Sequence, residues 1–128
     1  MATHKQLHLG DYTLVQITSV TATDDVFDVV SGKFDLEAVT IESGHANDLS
    51  CLLFDALTEP SVSLSGGTDS TWDYQFEAVS ASTPVTYHLK PAVRFNSGMS
   101  VILAEWNGSD WDVPTAAASV HLWGREVS

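Results

Sequence analysis

The sequence is short of cysteine, of basic residues and of long apolar runs, and each shortage excludes something. One cysteine, Cys51, cannot make an intrachain disulfide. Its place inside the run Leu49–Phe54 makes it a small buried hydrophobe rather than a nucleophile. Five Lys and Arg stand against 17 Asp and Glu, for a formal net charge of −12. Such a field repels nucleic acid, and Lys5, Lys33, Lys90, Arg94 and Arg125 are too scattered in sequence to form a basic patch. The acids are spread without a tail-like run, a pattern that favours solubility. No apolar stretch approaches the ~20 residues a membrane helix needs. The opening MATHKQLHLGDY has no apolar core of the kind a signal peptide carries. The expectation is a soluble protein made in the cytoplasm, without nucleic acid or membrane as partner.

Motifs of chemistry are also missing. There is no G-x-S-x-G nucleophile elbow. Gly66-Gly67 is followed by neither a Lys-Ser or Lys-Thr pair nor a helical pattern, so it is no phosphate cradle. His45 with Asp48, and His88 or His121 elsewhere, lack the His-x-His or His-x3-His spacing of a metal site. Asp24, Asp25 and Asp28, and Asn107 with Asp110 and Asp112, do not follow the spaced oxygen pattern of a calcium loop. Asp73 and Glu77 share a strand face and could be a carboxylate pair, but acids on a wet face explain them equally. The sequence therefore predicts no enzyme, no metal and no cofactor.

What is present is period-two patterning. The 128 residues, 44% of them hydrophobic, suffice for one core without staples. Tyr12–Thr21, Val26–Val30, Lys33–Glu42, Leu49–Leu57, Thr71–Val79, Val85–Lys90, Met99–Ala104 and Ala118–Val127 read as strands, and no amphipathic helix competes with them. Within Lys33–Glu42 the apolar phase switches from Phe34 and Leu36 to Val39 and Ile41, which predicts a bulge near Ala38. Leu49–Leu57 is apolar in both phases, as a strand covered on both faces would be. Trp72, Tyr74, Phe76 and Ala78 are expected on a buried face, with Asp73, Gln75 and Glu77 wet. Pro91 is expected to stop its ladder, since it has no N–H to donate. Asn96, Ser97 and Gly98 are turn residues ahead of the most apolar strand, with Phe95 a candidate core plug and Gly98 a candidate positive-φ corner. Asn107-Gly108, bracketed by Trp106 and Trp111, is a strong hairpin signal. These two tryptophans, with Tyr74, are candidates for an exposed contact with a glycan or a protein. The fold class expected is all-β: an antiparallel, jelly-roll-like β-sandwich of about eight strands. Residues 1–12 form an N-terminal arm or edge segment, and 13–128 the single domain.

Four pieces of the chain resemble small β-sandwich virion proteins of tailed bacteriophages: KFDLEAVTIES (33–43), LSCLLFDA (49–56), VRFNSGMSVIL (93–103) and the closing strand 119–123. The likeness spans about two thirds of the chain, with Phe95 and Gly98 its sharpest points. It is similar to the head decoration, or cement, type. The resemblance implies a non-enzymatic protein on the capsid exterior, a homotrimer bound to the major capsid protein. On that reading His4, Lys5, Leu7 and His8 of the arm are the candidate capsid contacts. A fibre or tail-associated sandwich, and a carbohydrate-binding module using Trp106 and Trp111, are the alternatives.

Overall fold

The computed structural model describes residues 3–20, 26–43, 49–56, 72–78, 84–106, 111–112 and 118–127. All regular structure among them is β-strand: β1 (Thr3–Leu9), β2 (Tyr12–Val20), β3 (Val26–Ser31), β4 (Phe34–Ser43), β5 (Leu49–Phe54), β6 (Tyr74–Ala78), β7 (Val85–Phe95), β8 (Gly98–Trp106), β9 (Trp111–Asp112) and β10 (Ala118–Glu126).

The strands form two antiparallel sheets. Sheet A has the order β1-β2-β10-β4-β7, and sheet B the order β3-β8-β5-β6, with the two-residue β9 beside β8. The pairings β2–β10, β3–β8, β4–β7 and β5–β6 are the rungs of one long antiparallel ribbon. Rolling that ribbon brings β10 against β4 and β8 against β5. This is the eight-stranded jelly roll, two Greek keys wound together. β1 adds a further strand at one edge of sheet A.

One core lies between the sheets. Val15, Ile17, Phe34, Leu36, Val39, Ile41, Val120 and Leu122 come from sheet A, and Leu49, Cys51, Leu53, Met99, Val101 and Leu103 from sheet B, all buried. In β10 burial alternates residue by residue from Ala118 to Gly124, the signature of a strand with one face in the core. β5 differs: all six of its residues are buried. Its second face carries Leu52 and Phe54, which with Ile102 and Ala104 of β8 make a separate buried cluster.

The expected bulge is present: the β4–β7 register shifts between Leu36 and Ala38, which moves Val39 and Ile41 into the core phase. Three expectations need correction. β7 does not stop at Pro91 but runs on to Phe95, through a cis Lys90–Pro91 peptide. It can do so because β7 is the last strand of sheet A and Pro91 falls in the stretch skipped by the register shift, where no ladder N–H is needed. Trp72 is not on the inward face with Phe76; it precedes β6 and packs against the second cluster, while Phe76 packs on the main core. β5 ends at Phe54 rather than Leu57, and β6 begins at Tyr74 rather than Thr71.

Phe95 is fully buried and meets the Tyr74 ring edge-on at 5.3 Å. Gly98, at φ 156°, opens β8. The chain between them is held by Asp55, whose two carboxylate oxygens accept the Asn96 and Ser97 N–H groups at 3.1 and 2.8 Å. Asp73 in turn accepts the Asp55 N–H at 2.8 Å.

Candidate functional site

The outer face of sheet A, five strands wide, is polar and aromatic. Register sets its side chains in rows across the strands. The first row is Lys5, Gln16, His121, Thr40 and Thr86. The second is Leu7, Leu14, Trp123, Ala38 and His88. In the third, Leu9 pairs with Tyr12, and Arg125 with Asp35, which pairs with Arg94. The middle row is thus apolar until it reaches β7, and the rows on either side are polar or charged.

Tyr12 and Trp123 stack at 5.2 Å with their planes 16° apart. Such a pair contributes about 0.5–1.5 kcal/mol beyond its buried area. The Arg125 guanidinium lies over the Tyr12 ring, 4.4 Å from its centroid, donates to the Tyr12 hydroxyl, and reaches Glu37 at 3.2 Å. Asp35 and Arg94 form a two-bond ion pair one strand further on. The hydrogen bond from Arg94 holds the Asp35 carboxyl below its ordinary range, more than the small desolvation opposes it. Thr40 and Thr86 join hydroxyls at 2.9 Å across the same face.

The outward positions of sheet A carry Lys5, Lys90, Arg94 and Arg125 against Asp35, Glu37 and Glu42, a balance of +1. Asp11 of the β1–β2 loop adds its charge beside Arg125 and brings the sum to zero. The strands of sheet B contain no Lys or Arg. Asp73 and Glu77, before and within β6, are both exposed.

The arm residues are part of this face, but only in part. Thr3–Leu9 is the edge strand β1, paired with β2 along its whole length. The two-residue loop Gly10-Asp11 closes that hairpin, with Gly10 at φ 65°, where glycine is favoured. Lys5 and Leu7 lie in the outward phase, opposite Gln16 and Leu14. His8 lies in the other phase, with its Nδ1 3.2 Å from the Thr13 hydroxyl; His4 pairs with Ile17 in the ladder, and its side chain lies outside the described residues. Strand alternation therefore splits His8 from Lys5 and Leu7. Trp106 and Trp111 pair across β8 and β9, as the hairpin reading expects, and their side chains lie outside the described residues. So do the Asn107-Gly108 turn, the 58–70 loop, His45, Asp48, Asp24, Asp25 and Asp110. His88 and His121 share the outer face but sit in different rows with β4 between them, which is no chelating pair. Among the described residues no group of three or more His, Cys, Asp or Glu is placed to hold a metal. Cys51 is fully buried, and desolvation pushes its thiol far above the ordinary range, so it is no nucleophile.

Tyr12, Leu14, Trp123 and Arg125 went unmarked as surface residues in the sequence. The available signal was the alternation of Ser119, His121, Trp123 and Arg125 with Val120, Leu122 and Gly124. Comparison of the chain with protein-family models, curated proteins and solved structures returns no match.

Proposed function

We propose that the chain is a non-enzymatic structural protein of a tailed-bacteriophage virion, a capsid decoration protein that binds the head lattice as a homotrimer. The observation that supports this reading is the jelly roll extended by the β1–β2 hairpin, which displays Lys5 and Leu7 on an open five-stranded face. A broad flat face on a rigid sandwich suits binding at repeated lattice sites. There, several modest contacts made at once give avidity without a deep pocket. Jelly rolls serve both capsid and lectin domains, so the site and not the fold carries the assignment.

The test is co-sedimentation with phage heads. Wild type pellets with them; Lys5→Glu with Leu7→Asp, both on the edge strand, does not, while its melting temperature stays within a few degrees. Equal pelleting of the variant removes β1 from the contact, and no pelleting of wild type removes the decoration reading. A carbohydrate-binding module is the second reading, favoured by the stacked Tyr12–Trp123 pair beneath Arg125. A glycan screen decides it: a hit lost in Trp123→Ala places sugar on this face, and a hit lost only in Trp106→Ala or Trp111→Ala places it at the β8–β9 hairpin. For the fibre or tail alternative, gold-labelled protein would mark the tail instead of the head.

A further inference from the structure

We propose that Asn96 is a latent self-modification site, held closed by the Asp55 carboxylate. Without that carboxylate the Asn96 side chain cyclises onto the Ser97 nitrogen and is converted to aspartate and isoaspartate. The inference stands independently of the assembly reading above.

The chemistry belongs to the chain itself. In an Asn-Ser pair the serine's backbone nitrogen is the nucleophile and the asparagine's side-chain carbonyl carbon the electrophile. A C–N bond forms between them, the bond to the side-chain NH₂ breaks, and ammonia leaves with the proton that the attacking nitrogen gives up. The product is a cyclic imide. Water then opens it at either carbonyl, to Asp or to isoAsp, so that water is consumed and ammonia released. No cofactor, oxidant or partner is required. The rate depends on how readily the Ser97 nitrogen loses its proton, and on how freely the turn brings it to the side-chain carbon.

Asn96 and Ser97 join β7 to β8 and are both exposed, so water and hydroxide reach them. Their N–H groups are nevertheless taken. Asp55 Oδ1 accepts the Ser97 N–H at 2.8 Å, and Oδ2 accepts the Asn96 N–H at 3.1 Å. This clamp opposes cyclisation twice. A charge-assisted hydrogen bond must break before the nucleophile is free, and a carboxylate beside the nitrogen disfavours its anionic form. The carboxylate is also too weak a base to take an amide proton outright. The clamp is itself positioned, because Asp73 accepts the Asp55 N–H at 2.8 Å and the Leu53 carbonyl accepts the Asp73 N–H at 2.9 Å. On the other side of the turn, fully buried Phe95 anchors its first end.

Conversion is self-reinforcing. It sets a new carboxylate next to Asp55, and like charges repel. IsoAsp also adds a methylene to the backbone between positions 96 and 97, which carries the Ser97 N–H away from its acceptor. A turn that has reacted therefore loses the clamp that had protected it.

The experiment incubates purified full-length chain at mildly alkaline pH and follows Asn96 by peptide mapping, reading the mass gain of amide-to-acid exchange. A synthetic peptide of residues 91–101 gives the unprotected rate. Wild type is expected to convert at least about tenfold more slowly than the peptide, and Asp55→Ala to regain most of that factor. Should Asp55→Ala fail to fold by circular dichroism, Asp55→Asn, which keeps the shape and removes the charge, takes its place. Leu52→Ala loosens the fold elsewhere and is expected to leave the Asn96 rate near that of wild type. Wild type converting as fast as the peptide, or an Asp55 variant no faster than wild type, overturns the proposal. So does an Asp55 variant slower than wild type, which would make the carboxylate a promoter. Leu52→Ala accelerating Asn96 as much as the Asp55 variant also overturns it, since general loosening would then explain the rate.

Discussion

Sheets A and B share one core, yet they finish their outer faces in opposite ways. Sheet A alternates, with half its residues in the core and half in rows of aromatic, polar and charged groups at the surface. At β5 and β8, sheet B buries both sides: Leu52, Phe54, Ile102 and Ala104 are as covered as Cys51 and Leu103. Burying a large apolar side chain is worth about 1.5–3 kcal/mol, so the second cluster is comparable with the ~5–15 kcal/mol net stability of an ordinary domain. The difference separates two duties. The middle of sheet B holds the fold, and the outside of sheet A is free to hold something else.

That division can be broken most directly by matched truncations. Leu52 and Leu14 both point outward, one on each sheet. Leu52→Ala should cost about 2–5 kcal/mol, as core truncations do, and Leu14→Ala about 1 kcal/mol or less. Urea midpoints measure both, and equal losses would erase the distinction. Next in size is Gly124→Ala. A Cβ there would stand 2.2 Å from the Asp35 carbonyl oxygen and 2.7 Å from the Phe34 ring, where β10 slips register against β4. We expect about 3 kcal/mol of destabilisation and a melting point lower by roughly 10 °C. A smaller effect belongs to the end of the sandwich. Asp55→Ala removes the acceptor for two turn N–H groups and should cost about 1 kcal/mol. Amide exchange at Asn96 and Ser97 should rise with it, and unchanged exchange would show that the turn holds itself.

The smallest expected effect sharpens the sheet A side. The Asp35 carboxyl is depressed in the folded state by its Arg94 hydrogen bond. Its contribution is therefore present above the unfolded carboxyl's value near ~4 and is lost as pH falls through the lower folded value. Melting curves of wild type and Arg94→Gln should differ slightly at pH 6 and converge as the pH is lowered through the folded-state titration of Asp35. A gap that stays constant across that range would assign the effect to packing. Both side chains are partly exposed, so salt should narrow the gap as well.

The alternation of Val15 and Ile17, the bulge near Ala38 and the two-faced burial of Leu49–Phe54 were all legible in the sequence, because each is a local consequence of period two. So was an all-β sandwich. The surface was harder to read. Strand alternation splits His8 from Lys5 and Leu7, and no sequence separation tells that Tyr12 meets Trp123 and Arg125 from the far end of the chain. That meeting depends on β2 pairing with β10. Trp72 misled because its alternation with Tyr74 and Phe76 continues past the point where β6 begins. Pro91 misled because its effect depends on whether its strand lies at an edge, which only the sheet order decides. The scattered bases became a face only when β1, β7 and β10 entered one sheet.

The rolled ribbon also sets a timetable. Its innermost pairing joins Leu53 to Tyr74, and its outermost joins Thr13 to Gly124. On a ribosome that adds ~5–20 residues per second, β2 is made early and waits on the order of 5–20 s for the strand that will lie beside it. Throughout that wait an unpaired strand edge is a template for unwanted pairing. The β1–β2 hairpin closes through a two-residue loop, so it can form on a timescale of ~1–10 μs, long before β10 exists. It covers one of the two edges of β2 as soon as both strands have emerged. In a ribbon whose outermost pairing must wait for the last strand, the first strand can cover the second during synthesis.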